Sequence, residues 1–142
     1  MGTTRQISHL NCEIDAVYHE AAAKLGLSES AMWILYALCL NGGTCPLGEI
    51  ICMAAISKQT VNSALRKLER EGMVYLESAG GRKKVVRLTA QGTELARGTA
   101  MWVLQAEDEI FASWSQEELD AYIALTKKYL AAFREKVGGL TV

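Results

Sequence analysis

The stretch that decides the fold is residues 56–92, ISKQTVNSALRKLEREGMVYLESAGGRKKVVRLTAQG. Its hydrophobic period changes midway. Between Ser57 and Gly72, Val61, Ala64, Leu65 and Leu68 recur at steps of three and four. That is the stripe of an amphipathic helix. Ser57 is a suitable N-cap, and Gly72 is a stop. Lys58, Gln59, Asn62, Ser63, Arg66 and Lys67 fall mostly on the opposite side. After Gly72 the period drops to two. Met73–Glu77 and Lys84–Leu88 read as strands, joined at Ser78–Gly81 by a turn with two glycines. A hairpin this small is not stable alone and must pack on helices.

Helices are expected on both sides of this stretch. Residues 6–24 place Ile7, Leu10, Ile14, Val17 and Tyr18 on one face, and Gly26 ends the helix. Ser28 caps a second helix, AMWILYALCL, which is apolar nearly all round and therefore expected to be central. Gly42 and Gly43 stop it. Pro46 suits the first turn of a short third helix, through about Met53. Beyond the hairpin, Thr89 caps a long fifth helix, about 90–113. Ser115, with Glu118 three residues later, forms a capping box for a sixth. The stripe of the sixth helix is Leu119, Tyr122, Ile123, Thr126, Leu130, Phe133 and Val137. The expected order is four helices, a hairpin and two helices.

Composition sets the class. The chain has 142 residues, half of them apolar and 22% charged. That is an ordinary globular balance rather than a disordered one. No apolar run approaches the roughly 18 residues that span a bilayer. The opening MGTTRQISHLNCEID has no apolar core of a signal peptide, so a cytoplasmic location is expected. Cys12, Cys39, Cys45 and Cys52 form no CxxC, and reduced thiols are expected. Cys39 and Cys52 lie in apolar runs and are expected to be buried. No HExxH, GxSxG, P-loop or GxGxxG is present, so no catalytic residue and no cofactor are expected. His9, Cys12 and Glu13 lie within little more than a helical turn. A closed tetrahedral metal site would need ligands from elsewhere, so no metal is assigned. Cys12 is the candidate redox thiol, although acidic Glu13 and Asp15 beside it oppose that chemistry.

Charge is unevenly distributed. Residues 57–97 hold nine basic groups against four acids, a net of +5, while the rest of the chain carries −6. A basic centre between acidic ends is a footprint of nucleic-acid binding. The third helix, a turn, the fourth helix and the hairpin make a winged helix-turn-helix. A helix fits the major groove. Gln59, Thr60, Asn62 and Ser63 are candidates for base or near-base contacts, and Ser57, at the cap, is a further candidate DNA-binding residue. Lys58, Arg66, Lys67, Lys83 and Lys84 are candidates for phosphates. Arg82, at the hairpin tip, is the candidate for the minor groove, whose negative potential favours arginine. Glu69 is expected to pair with Lys67 or Arg66 at the surface.

At these residues the chain resembles the MarR family of bacterial transcriptional regulators, and the resemblance covers almost its whole length. ISKQTVNSALRKLEREGMV is similar to the family's s-x-x-TVxxxLxxLExxGhh. GRKKVVRLTAQG is similar to DxRxxxhxLTxxG. Leu27-Ser28 and Trp33 to Leu35 look like the family's second-helix entry. Three features depart from the pattern. Gly80 stands where an acid usually braces the wing arginine, the wing is about two residues shorter, and Ser63 replaces an arginine.

The resemblance implies a mainly α fold with a small β-hairpin, as a single domain over 1–142. Its DNA-binding lobe would span about 28–92, with N- and C-terminal dimerisation helices over about 5–25 and 93–138. It implies a homodimer on a double-stranded DNA operator, acting as a repressor. It also implies a small aromatic or phenolic effector held between these regions, for which Trp33, Tyr36, Met101 and Trp102 are the candidate lining. Aromatic-rich stripes at both ends, including Tyr18, Phe111, Trp114, Tyr122, Tyr129 and Phe133, agree with dimerisation. The alternatives are a thiol- or metal-responsive regulator of the same fold, or a winged-helix module for protein interaction.

Overall fold

A computed structural model describes residues 2–54 and 56–141. The chain divides into two compact units, Met1–Gln105 and Ala106–Val142. In the first, α1 (Gly2–Lys24) leads to α2 (Glu29–Leu40), the two helices meeting at 93°. Ser28 caps α2, its hydroxyl accepting from the Ala31 N–H at 3.1 Å. Then come β1 (Thr44–Pro46), α3 (Leu47–Ala54), α4 (Lys58–Arg70), β2 (Val74–Ser78), β3 (Lys84–Leu88), α5 (Ala90–Gly98) and α6 (Ala100–Ala112).

The main core lies under α4 and the β2–β3 hairpin. Ile34, Ala37 and Leu38 of α2 pack with Ile50 of α3, Val61, Leu65 and Leu68 of α4, and Val74 and Val86 of the hairpin. The α4 residues are the expected apolar stripe, so burial of that stripe fixes which side of α4 faces outward. Met32 packs with Ala22 and Val103, and Leu35 with Ala96 and Ala100. The central role expected for the second helix is therefore met from several sides.

Four expectations need correction. Pro46 does not open the third helix. It ends a short strand, β1, that pairs antiparallel with β3, so the sheet has three strands in the order β1-β3-β2. A proline is tolerated there because β1 is an edge strand. The long fifth helix is broken into α5 and α6 at Thr99, which is buried and leaves helical geometry at φ −132° and ψ −93°. Its hydroxyl donates to the Leu95 carbonyl at 2.7 Å, and such back-bonding bends helices. There are accordingly seven helices among the described residues. α1 begins at Gly2, four residues before the expected start. Finally, Cys52 is exposed, because α3 turns that position away from the core that takes Ile50 and Ala54.

The second unit holds the end of α6 and α7 (Gln116–Gly138). The expected capping box is present. Ser115 Oγ accepts from the Glu118 N–H at 3.1 Å, and Glu118 Oε1 accepts from the Ser115 N–H at 2.8 Å. Phe111, Trp114 and Tyr122 cluster with ring centroids 5.2–6.3 Å apart. None of the residues of α7 is buried.

Candidate nucleic-acid interface

α4 presents a polar face about 20 Å long, from 13 residues at 1.5 Å each. Lys58, Gln59, Asn62, Ser63 and Arg66 line one shallow concave surface on it. Their steps of one, three and four put them on one side of the helix, opposite Val61, Leu65 and Leu68. Ser57 caps the helix. Its Oγ accepts from the Thr60 N–H at 3.1 Å and lies 2.7 Å from Thr60 Oγ1. Both hydroxyls are thus engaged at the helix start, whereas the side chains of Gln59, Asn62 and Ser63 have no protein partner among the described residues.

The wing is closed by two backbone bonds, Ala79 N–H to the Lys83 carbonyl and Lys83 N–H to the Gly80 carbonyl. Gly80 and Gly81 adopt φ +101° and +59°, a region that favours glycine. This sharp turn leaves Arg82, Lys83 and Lys84 exposed at its exit.

Ion pairing sorts the basic groups. Arg87 pairs with Glu77 at 2.9 Å, and Arg97 pairs with Glu94 at 2.6 Å. Lys58, Arg66, Lys67, Arg70, Arg82, Lys83 and Lys84 make no salt bridge among the described residues. Glu69 makes none either, so its expected pairing with Lys67 or Arg66 is absent. Positive charge is therefore concentrated on α4 and the wing tip, without internal neutralisation.

The wing is bolted to α5 through Thr89. Its hydroxyl donates to the Gly72 carbonyl at 2.6 Å and accepts from the Gly92 N–H at 3.0 Å. A Cβ on Gly92 would lie 1.8 Å from the Met73 carbonyl oxygen. The spacing Leu88-Thr89-x-x-Gly92 thus joins a cap to a close helix–backbone approach.

This arrangement has known counterparts. A MarR family regulator from Silicibacter pomeroyi shares 24% identity, over 92% of this chain and 89% of that one, with a TM-score of 0.71. A MarR family regulator from Neisseria meningitidis shares 18%, over 97% and 98%, with a TM-score of 0.82. The fold is that of MarR-family transcriptional regulators. Residues 25–84 match the sequence model of the MarR family. No curated protein sequence matches the chain. A third similar structure is Bordetella bronchiseptica BpsR, whose DNA binding is regulated by 6-hydroxynicotinic acid. It shares 22% identity over 87% of this chain and 98% of that one, with a TM-score of 0.62. The MarR-matched segment contains α4 and most of the wing.

Of the four effector-pocket candidates, Met101 and Trp102 line separate hollows. Trp33 stacks edge-on with Tyr36 at 5.2 Å and lies 5.0 Å from Tyr18, within packed surroundings. Met101 lines a hollow of about 260 Å³ with Cys39, Leu88 and Ala96. Trp102 lines another of about 270 Å³ with Val17, Lys24 and Leu25. Cys12 is exposed on α1. Among the described residues no group of three or more His, Cys, Asp or Glu could hold a metal ion. His9 instead contacts Glu13 at 2.6 Å.

Sequence reasoning missed Cys45. It is buried, receives a hydrogen bond from Asn41 Nδ2 at 3.5 Å and donates to Glu49 Oε2 at 3.9 Å. Burial, and then the nearby Glu49 carboxylate, push its thiol up to about 11. Burial also raises Cys39. Both groups are held as neutral thiols.

Proposed function

We propose that the chain is a MarR-family transcriptional regulator that works in the cytoplasm as a homodimer on double-stranded operator DNA, and not as an enzyme. The observation that carries this is the gathering of unpaired cations and free amides on α4 and at the wing exit. The amides can meet base edges, and the cations can meet phosphates. Dimerisation is supported by exposed apolar stripes. Ile7, Leu10, Ile14 and Val17 stand open on α1, and Tyr122, Ile123, Leu130 and Phe133 on α7. Monomeric proteins rarely leave such patches uncovered. Two copies would present two recognition helices to half-sites about one DNA turn apart, roughly 34–36 Å.

The regulator acts as a repressor by occupying a promoter, and a small aromatic ligand releases it. The precedent of BpsR supports the ligand, and the hollows beside Met101 and Trp102 offer room for it. Fluorescence anisotropy with promoter duplex tests the core of this reading. Binding should weaken steeply with salt, with a logarithmic slope near −0.9 for each phosphate neutralised. Absence of duplex binding at low salt would overturn it. A ligand that releases DNA must itself bind operator-bound protein more weakly by the same factor.

A further inference from the structure

Resting on that DNA-binding reading, we infer that the first turns of α4 read adenine in the major groove, with Gln59 and Asn62 each pairing one adenine edge. Four observations lead there. The hydroxyls of Ser57 and Thr60 are held 2.7 Å apart and engaged with each other at the helix start. Gln59 and Asn62 line the concave face, and neither side chain has a protein partner among the described residues. Each carboxamide offers a donor beside an acceptor. Lys58 and Arg66 flank the amides on the same face, eight residues or about 12 Å apart along the axis.

The chemistry then selects the base. Adenine shows N7 as acceptor and N6–H as donor, which a carboxamide matches with two bonds. Guanine shows two acceptors, N7 and O6, and would set the amide oxygen against one of them. Guanine suits Arg or Lys, and here those residues stand at the two ends of the face, outside the pair of amides. Gln59 and Asn62 are three residues apart, a rise of about 4.5 Å. Base pairs along one strand are about 3.4 Å apart. The two adenines therefore belong to adjacent pairs or to pairs one apart, once in each half-site.

Selection of the full chain on a randomised duplex pool tests this. The expected outcome is two A·T pairs in each half-site, adjacent or one apart. Gln59→Ala and Asn62→Ala should each flatten one of these positions, removing a preference of about 5- to 150-fold. Affinity for random duplex should fall much less than affinity for the selected site, since phosphates carry most of it. A second measurement leaves the protein intact. Replacing the selected adenine by 7-deaza-adenine removes the N7 acceptor and should weaken the wild-type chain about 2- to 10-fold. The same replacement should not affect the alanine variant that has lost that contact. Binding with G·C selected at these positions, or indifference to the deaza base, overturns the inference while DNA binding stands. Failure of the wild-type chain to bind any duplex overturns both.

Discussion

Arg87 Nε donates to Glu77 Oε2 at 2.9 Å, tying β3 to β2 across the wing. Its Nη1 also donates to the Thr44 hydroxyl at 3.1 Å, tying β3 to β1. One guanidinium thus stitches three strands, from residues 10 and 43 positions away in sequence. Its charge is answered inside the protein. Arg87→Ala should cost about 1 kcal/mol of stability, since the pair is half-exposed. It should leave the salt slope of DNA binding unchanged. A slope lower by about 1 in that variant would show that Arg87 meets a phosphate after all.

Arg82 is the contrasting case. It is exposed, unpaired among the described residues and placed at the wing tip by two glycines of positive φ. Arg82→Ala should leave the melting temperature within about 2 °C, because exposed substitutions usually change stability by less than about 0.5 kcal/mol. Anisotropy should show weaker operator binding. A loss confined to operator sequence indicates minor-groove readout, and an equal loss on every sequence indicates a phosphate contact. Unchanged affinity would remove Arg82 from the interface.

Gly92→Ala should be among the most damaging single changes. The added Cβ would meet the Met73 carbonyl oxygen at 1.8 Å, and backbone cannot step aside as a side-chain tip can. Overpacking of this kind costs about 1–3 kcal/mol and occasionally more. Urea unfolding would measure it. A loss below about 0.5 kcal/mol, within the range of ordinary surface changes, would mean that α5 can shift freely from the wing.

Cys45 makes stability depend on alkaline pH. Its folded pKa, about 11, lies above the ordinary 9.0. The folded state therefore binds the thiol proton more tightly than the unfolded chain does. That contribution is fully present below pH 9 and is lost as pH rises toward 11. Linkage gives about 2 kcal/mol lost by pH 10.5. Other groups titrate in this range, so the comparison is with Cys45→Ala, whose stability should fall less between pH 8 and 10.5. Equal falls in the two proteins would contradict the assignment.

Oligomeric state is open to a direct measurement. Light scattering at micromolar concentration should give twice the 15.5 kDa protomer mass. Leu10→Asp on α1 or Phe133→Asp on α7 should shift the mass toward the protomer, since both side chains are exposed in the single chain. A wild-type protein stable at 15.5 kDa would end the dimer reading.

Most of the fold could be read along the chain. Val61, Leu65 and Leu68 announce α4 by spacing, Ser57 and Thr89 announce caps, and the period of two marks the hairpin. All three features arise within a few residues of one another, so local pattern suffices. Pro46 was misleading because its pairing partner, Val85, lies on a strand far along the chain. The break at Thr99 depends on a buried hydroxyl, and burial there is set by α2 and its neighbours. Cys52 sits in an apolar run, yet α3 is one-sided in its packing.

The candidate site divides the same way. The sequence by itself determined which side chains share the outer face of α4, because helical periodicity and a buried stripe leave only one side free. It also determined a glycine turn followed by three cations. Only the tertiary structure decided which charges remain available. Arg87 is neutralised by Glu77 across a strand pair, while Glu69 leaves Arg66 and Lys67 free. The third strand, the helix break and the neutral thiol of Cys45 were decided there too. Each depends on groups distant in sequence meeting at hydrogen-bonding distance or being shut away from water, and neither condition is written in local spacing.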